Sequence, residues 1–278
     1  MDIGRMSNSP LTSFAVLLVT VSFGLSANAS AETDKNADLA QELTNPIANI
    51  ITVPIQMTFD NDIGVNDQGS KITTNIQPVI PFEVNNDWNL ITRTIMPVIY
   101  QDEVFPGQGS QFGLGDINMS LFFSPKEPTA SGIIWGVGPV FLLPTATDSL
   151  LGGNKWGAGA GGVALTMRGS WTMGGLANHI WSVAGDSDRS DISNTFLQPF
   201  VAYTWPSAWT VSMQSESNYN WKTEQWSIPV TAAVSRLVKF GKLPVSLQAG
   251  IGYWLESPDS GPKGIRYRLQ ANIVLPNK

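Results

Sequence analysis

Cysteine is absent from this chain and histidine occurs once, at His179. Without a thiol there is no disulfide, no thiolate metal site and no thiol redox chemistry, a composition compatible with an exported protein that needs no disulfides. With one imidazole, zinc sites and histidine-based catalytic groupings lose their usual members. Charge is scarce as well. Asp, Glu, Lys and Arg make up 14% of the 278 residues, against about 25% in soluble domains, so much of the surface must face something other than water. The balance is −6 and no basic run exists, so nothing points to a nucleic-acid partner or a polybasic membrane-binding surface.

Long apolar runs are missing beyond the N-terminus. Thr129 to Thr147 is free of charge, but its Gly132, Gly136, Gly138, Pro139 and Pro144 suit a strand better than a spanning helix. The one apolar stretch, Leu11 to Leu25, is of signal-peptide length and is followed by Ala27-Asn28-Ala29 and Ala29-Ser30-Ala31. Either fits the small-x-small cleavage pattern, so residues 1–31 are expected to be an export signal. Asp2 and Arg5 cancel, and cleavage leaves the net charge unchanged. Residues 32–49 are polar with Leu39 and Leu43 at helical spacing and stop at Asn45-Pro46; a short periplasmic helix or arm is expected there.

What the chain does have is alternation of period two, repeated along its whole length. In the last segment Ile265, Tyr267, Leu269, Ala271, Ile273 and Leu275 share one face, and Arg266, Arg268, Gln270 and Asn272 the other. Trp209 to Asn220 and Lys71 to Gln77 alternate in the same way. Strands of about ten residues with one apolar and one polar face are how a transmembrane β-barrel is written. Residues 50–278 divide into about twelve of them: Ile50 to Asp60, Lys71 to Glu83, Trp88 to Gln101, Gly113 to Ser124, Ile133 to Pro144 and Trp156 to Met167 in the first half. The second half gives Trp171 to Ala184, Ile192 to Thr204, Trp209 to Trp221, Trp226 to Lys239, Val245 to Leu255 and Ile265 to Leu275. The expected fold is thus all-β, an antiparallel up-and-down barrel.

The breaks alternate too. Asn61 to Ser70, Asp102 to Phe112, Thr145 to Lys155, Gly185 to Asp191 and Glu256 to Lys263 are long, with only Lys222 to Gln225 short in that set, whereas Asn85 to Asp87, Arg168 to Ser170, Trp205 to Ser207 and Phe240 to Lys242 are tight, with Pro125 to Ser131 a little longer. Long loops outside and short turns in the periplasm put both termini in the periplasm. Trp88, Trp171, Trp205 and Trp209 fall near short turns, and Trp181, Trp221, Trp226 and Trp254 near long loops, as two interfacial belts require. Because a barrel has no edge, the last strand must close on the first, which brings Asp60 and Thr58 opposite Arg266 and Arg268.

Turning the polar faces inward lines the lumen with Asp60, Lys71, Arg93, Asp116 and Asn118 from the first strands. Gln214, Glu216, Arg266, Arg268 and Gln270 come from the later ones. Such a lining either hydrogen-bonds itself shut or holds a thin wet path for uncharged solutes. No catalytic residue, metal ligand or cofactor is expected. Ser182, three residues after His179, points to the opposite strand face, and Asp186, Asp188 and Asp191 form a solvated loop able to hold calcium only weakly.

Several phrases resemble a known family. "LTNPIANIITVPIQMTFD" (Leu43 to Asp60), "GLGDI" (Gly113 to Ile117), "NHIWSVAG" (Asn178 to Gly185) and "FLQPFVAYTW" (Phe196 to Trp205) are similar to the bacterial outer-membrane family labelled MetA-pathway-of-phenol-degradation or transporter protein, whose members are often titled neuromedin U. The resemblance implies a Gram-negative outer-membrane barrel, embedded in lipid by the barrel assembly machinery, that passes small, weakly polar or aromatic molecules. The chain departs from the usual barrel C-terminus by ending Pro276-Asn277-Lys278. A structural or surface-interaction barrel with a closed lumen is the alternative.

Overall fold

The computed structural model describes residues 30–276, and most of the expected export signal lies outside them. A helix, α1 (Ser30–Glu42), precedes fifteen strand segments. They are β1 (Ile51–Ile63), β2 (Gly69–Ile76), β3 (Val79–Glu83), β4 (Trp88–Asp102), β5 (Gln111–Leu114), β6 (Ile117–Pro125), β7 (Ile133–Leu143) and β8 (Lys155–Arg168). The remainder are β9 (Trp171–Gly185), β10 (Ser193–Thr204), β11 (Trp209–Ser215), β12 (Ser217–Asn220), β13 (Gln225–Phe240), β14 (Leu243–Glu256) and β15 (Lys263–Leu275). Among the described residues no helix is long and apolar enough to cross a membrane.

The segments form one closed antiparallel sheet of twelve wall strands, because β2 with β3, β5 with β6, and β11 with β12 are each one strand interrupted. Each interruption has a local cause. Pro78 brings no N–H to the ladder, and Gln77 N instead donates to Pro54 O at 2.8 Å. Asp116 leaves the ladder to hold a loop, and Glu216 separates β11 from β12. The seam is β1 against β15, with Gln56 opposite Gln270, Met57 opposite Leu269 and Thr58 opposite Arg268.

The alternation read from the sequence is the inside–outside alternation of the wall. On β15, Tyr267 and Leu269 are 50% and 53% exposed, while Arg266 and Arg268 are 7% and 2%. Buried polar and exposed apolar side chains are the reverse of a water-soluble domain, and the arrangement suits a wall bathed in hydrocarbon. Eight tryptophans named from the sequence were expected in belts, but Trp254 departs from that expectation. Its neighbours Tyr253 and Leu255 face outward, so parity sends the Trp254 ring inside, where Nε1 donates to Asp60 at 2.8 Å. At the short-turn end Trp88 packs edge-on against Trp135 with ring centroids 5.8 Å apart, and Trp171 against Tyr203 at 5.0 Å. Arg236 lies over the Trp209 ring at 5.2 Å, a cation–π contact of the kind interfaces favour.

One connection differs from expectation. The first long break shrinks to residues 64–68, because β1 and β2 extend past the wall around a register shift between Asp60 and Ile63. Asn61, read as loop, pairs with Lys263, while Asp62 sits in the register shift at φ 53°. Tight turns are as expected, with Gly169 and Gly241 at φ 55° and 64°, the left-handed conformation that glycine adopts without strain.

Candidate functional site: the lumen

The lumen is narrowed at both ends by the chain itself. At the short-turn end α1 packs Leu39, Ala40 and Leu43 against Ala208 and Leu237, and Gln41 Nε2 donates to Gly169 O at 2.7 Å. The chain then turns into the barrel. Asn45 Oδ1 accepts from Ile47 N at 3.0 Å, and Ile47, 3% exposed, inserts among Val79, Ile91, Phe122, Leu165 and Leu176. Residues 32–49, expected as a short helix or arm, thus consist of most of α1 and a segment that enters the barrel as a plug. Those apolar partners lie on the inner face of β3, β4, β6, β8 and β9, a feature that a polar-inside reading of every strand did not anticipate.

At the long-loop end residues 144–154 lie across the mouth. Asp116 accepts from Ala146 N at 3.1 Å and Gly153 N at 2.6 Å. Arg189 donates to Ser149 O at 2.7 Å and also to Gly152 O, and Gln101 Nε2 reaches Leu150 O at 3.4 Å. Asp116, expected among the lumen-lining groups, thus lines neither of the two cavities described below. A short acid at a strand break, facing two free backbone N–H groups, serves as a staple.

Between the two constrictions a belt of charge crosses the barrel. Arg266 Nε lies 3.3 Å from Asp60 Oδ1, and its guanidinium sits over the Trp254 ring at 4.9 Å. Arg268 pairs with Glu216, which Arg266 Nη1 approaches at 3.9 Å. Gln214 Nε2 donates to the other Glu216 oxygen at 3.0 Å. Lys71 stands opposite Asp60 in the β1–β2 register. Arg93 stands apart from the ion pairs: it donates to Gln77 Oε1 at 2.8 Å, with no carboxylate in ion-pair contact among the described residues.

The belt divides the interior into two cavities that share Arg93. The inner one, about 170 Å³, has Leu43, Asn45 and Pro46 of the plug on one side, with Glu216, Gln214 and Gln270 on the other. The outer one, about 240 Å³, has an apolar wall of Ile95, Leu142, Ile180 and Phe196. Facing it are the amides of Asn118, Asn178, Asn194 and Asn218.

His179 lies on the outer surface of the barrel. Its Nδ1 is 2.7 Å from Thr195 Oγ1 and its Nε2 3.4 Å from Ser193 Oγ. The ring lies 4.1 Å from that of Trp181. Among the described residues no three metal-ligating side chains come together. In the loop, Asp186 caps Asp188 N at 2.9 Å, and Asp191 lies 3.3 Å from Lys155 Nζ. The Lys155 hydrogen bond, with one from Ser182, holds the Asp191 carboxyl below its ordinary range.

By its fold the protein is a closed twelve-stranded barrel of the transmembrane kind. It is similar in structure to the COG4313 outer membrane channel from Pseudomonas putida F1, with a TM-score of 0.60 and 15% identity over 81% of this chain and 96% of that one. Outer membrane phospholipase A from Escherichia coli matches with a TM-score of 0.47 and 14% identity over 88% and 98% of the two chains. The KdgM porin does so with 0.46 and 11% over 81% and 99%. At these identities the likeness concerns the fold alone. No family model matches the chain, and no curated protein matches it by sequence.

Proposed function

We propose that the protein is an outer-membrane channel of Gram-negative bacteria, exported by its N-terminal signal, that passes small, weakly polar or aromatic molecules. One observation carries the reading: the lumen is not packed solid but holds two cavities that meet at Arg93, between the plug and the 144–154 loop. A barrel kept only as a wall would fill this space with side chains at interior density. The mixed lining, amides facing Ile95, Leu142 and Phe196, suits solutes with one polar end and an apolar body. The solved outer membrane channel of similar fold and the family resemblance of the sequence support the same reading.

The alternative is a structural or surface-interaction barrel with a closed lumen. The Asp60–Arg266–Glu216–Arg268 belt, which crosses the interior, is the observation in its favour. Planar-bilayer recording of the refolded protein separates the two. Steady single-channel steps are expected, and silence over the full voltage range accepted by the bilayer would establish the closed barrel.

A further inference from the structure

The outer cavity carries an imbalance of charge. Although the chain as a whole holds 22 acids and 16 bases, the mid-lumen belt sets Lys71, Arg93, Arg266 and Arg268 against Asp60 and Glu216 alone, four cations to two anions among the described residues. Both carboxylates are engaged by Arg266 and Arg268. Even so, Nε of Arg266 and Nε of Arg268 are buried without a hydrogen-bond acceptor. Arg93 makes one hydrogen bond, to the neutral Gln77, and feels Glu216 only at a distance beyond ion-pair contact; it is the one charged residue lining the outer cavity.

A guanidinium with free donors inside a barrel is costly unless an anion or water meets it. Its planar fork matches a carboxylate in two parallel hydrogen bonds. The rest of the cavity limits what that carboxylate can be attached to. Ile95, Leu142, Ile180 and Phe196 form an apolar wall, and the asparagine amides opposite offer donors and acceptors, Asn194 Oδ1 being buried without a partner. At about 240 Å³ the space exceeds the ~150 Å³ that suffices for benzene, so one ring or a short branched chain fits and an oligosaccharide does not.

We propose that the outer cavity is a binding site for small amphipathic carboxylates, with Arg93 as the anion anchor and the Ile95–Phe196 wall as the seat of the apolar body. This rests on the channel reading for how the solute arrives and leaves, but not for what holds it. Glu216 on the inner side repels an anion that passes Arg93, so the solute is held on the outer side first. The neutral, weakly polar solutes expected from the sequence would lack the anchor and bind weakly.

The test is calorimetric titration of the full chain in detergent with benzoate, benzyl alcohol and acetate, run on wild type, Arg93→Gln and Arg93→Lys. Benzoate is expected to bind tighter than either control by about ten-fold or more, the range of one charged hydrogen bond. Arg93→Gln is expected to lose that margin and Arg93→Lys to keep part of it. Heat-modifiable gel mobility shows that each variant is folded, and the wild-type comparison stands even if one variant is not. Benzyl alcohol binding as well as benzoate, or benzoate unaffected by Arg93→Gln in a folded barrel, would overturn the proposal. Acetate matching benzoate would also overturn it, leaving a site for charge alone. Benzoate binding without bilayer conductance would sink the channel reading and leave the site standing.

Discussion

Thr58 on the first strand and Arg268 on the last are direct partners across the seam that closes the barrel. The pairing fixes the register of the whole wall, because a slip of one residue would turn Arg268 to the hydrocarbon and Leu269 to the lumen. Cysteines at Thr58 and Arg268, in a protein with none of its own, are expected to crosslink under mild oxidation. The product is a chain joined across its ends, which migrates faster than the reduced form on a boiled, non-reducing gel. Efficient crosslinking of Thr58→Cys to Gln270→Cys instead would mean a register two residues away.

The two faces of β15 should respond oppositely to the same substitution. Leu269 is half exposed on the outer surface, whereas Gln270 lines the inner cavity and donates to Asn272 at 2.6 Å. Leu269→Arg is expected to cost about 2–4 kcal/mol, the depth-dependent cost of a cation in hydrocarbon near the midplane. Gln270→Arg should leave folding nearly unchanged. Denaturant unfolding in lipid vesicles measures both, and equal losses would contradict the assignment of faces.

How much of this was legible in the sequence depends on which kind of pattern carried it. Strict alternation at Ile265 to Leu275 gave strand, face and seam together, since one parity rule governs all three. Glu216, Arg266 and Arg268 were readable as inward for the same reason. Trp254 was misassigned because nearness to a long loop was weighed above parity, and parity decides which side a ring is on. Asp116 was readable as inward, but not its role, because its partners Ala146 and Gly153 lie on a distant loop. The apolar inner cluster of Ile91, Phe122 and Leu176 was not legible. Those residues answer to Ile47 of the plug, a contact between distant segments that no local period encodes.

The loop pair Lys155–Asp191 lies outside the spanning strands and gives a pH prediction. The Lys155 and Ser182 hydrogen bonds lower the Asp191 pKa in the folded state, so the unfolded chain binds the proton more readily there. The contribution to stability is complete above the ordinary aspartate value of about 3.9 and is lost as pH falls through the lower folded value. Carboxyl NMR titration should find the Asp191 midpoint below about 3.9 and find it shifted upward in Lys155→Met. A midpoint unmoved by Lys155→Met would mean that the lysine does not hold the carboxylate in solution.

Ile47 decides whether the plug can leave. The wall is hydrogen-bonded all the way round without residues 30–50, so the barrel does not need the plug to stay closed as a sheet. The plug is held by the Ile47 insertion, the Leu39–Leu43 contact with Leu237, and the hydrogen bond from Gln41 to Gly169. Truncating a buried isoleucine to alanine costs about 2–5 kcal/mol. Here that loss falls on docking of the plug rather than on the wall. Ile47→Ala is therefore expected to make the chain near Lys35 sensitive to trypsin while heat-modifiable mobility is unchanged. Ile47→Glu, which places a charge among Ile91, Phe122 and Leu176, should do so more fully. Release of the plug removes the Leu43–Pro46 boundary of the inner cavity, so bilayer conductance should rise in the same order: wild type, Ile47→Ala, Ile47→Glu. Trypsin sensitivity without any rise in conductance would place the resistance in the Glu216–Arg268 belt or in the 144–154 loop at the other mouth, and Asp116→Ala, which removes two hydrogen bonds holding that loop, added to Ile47→Glu separates the two.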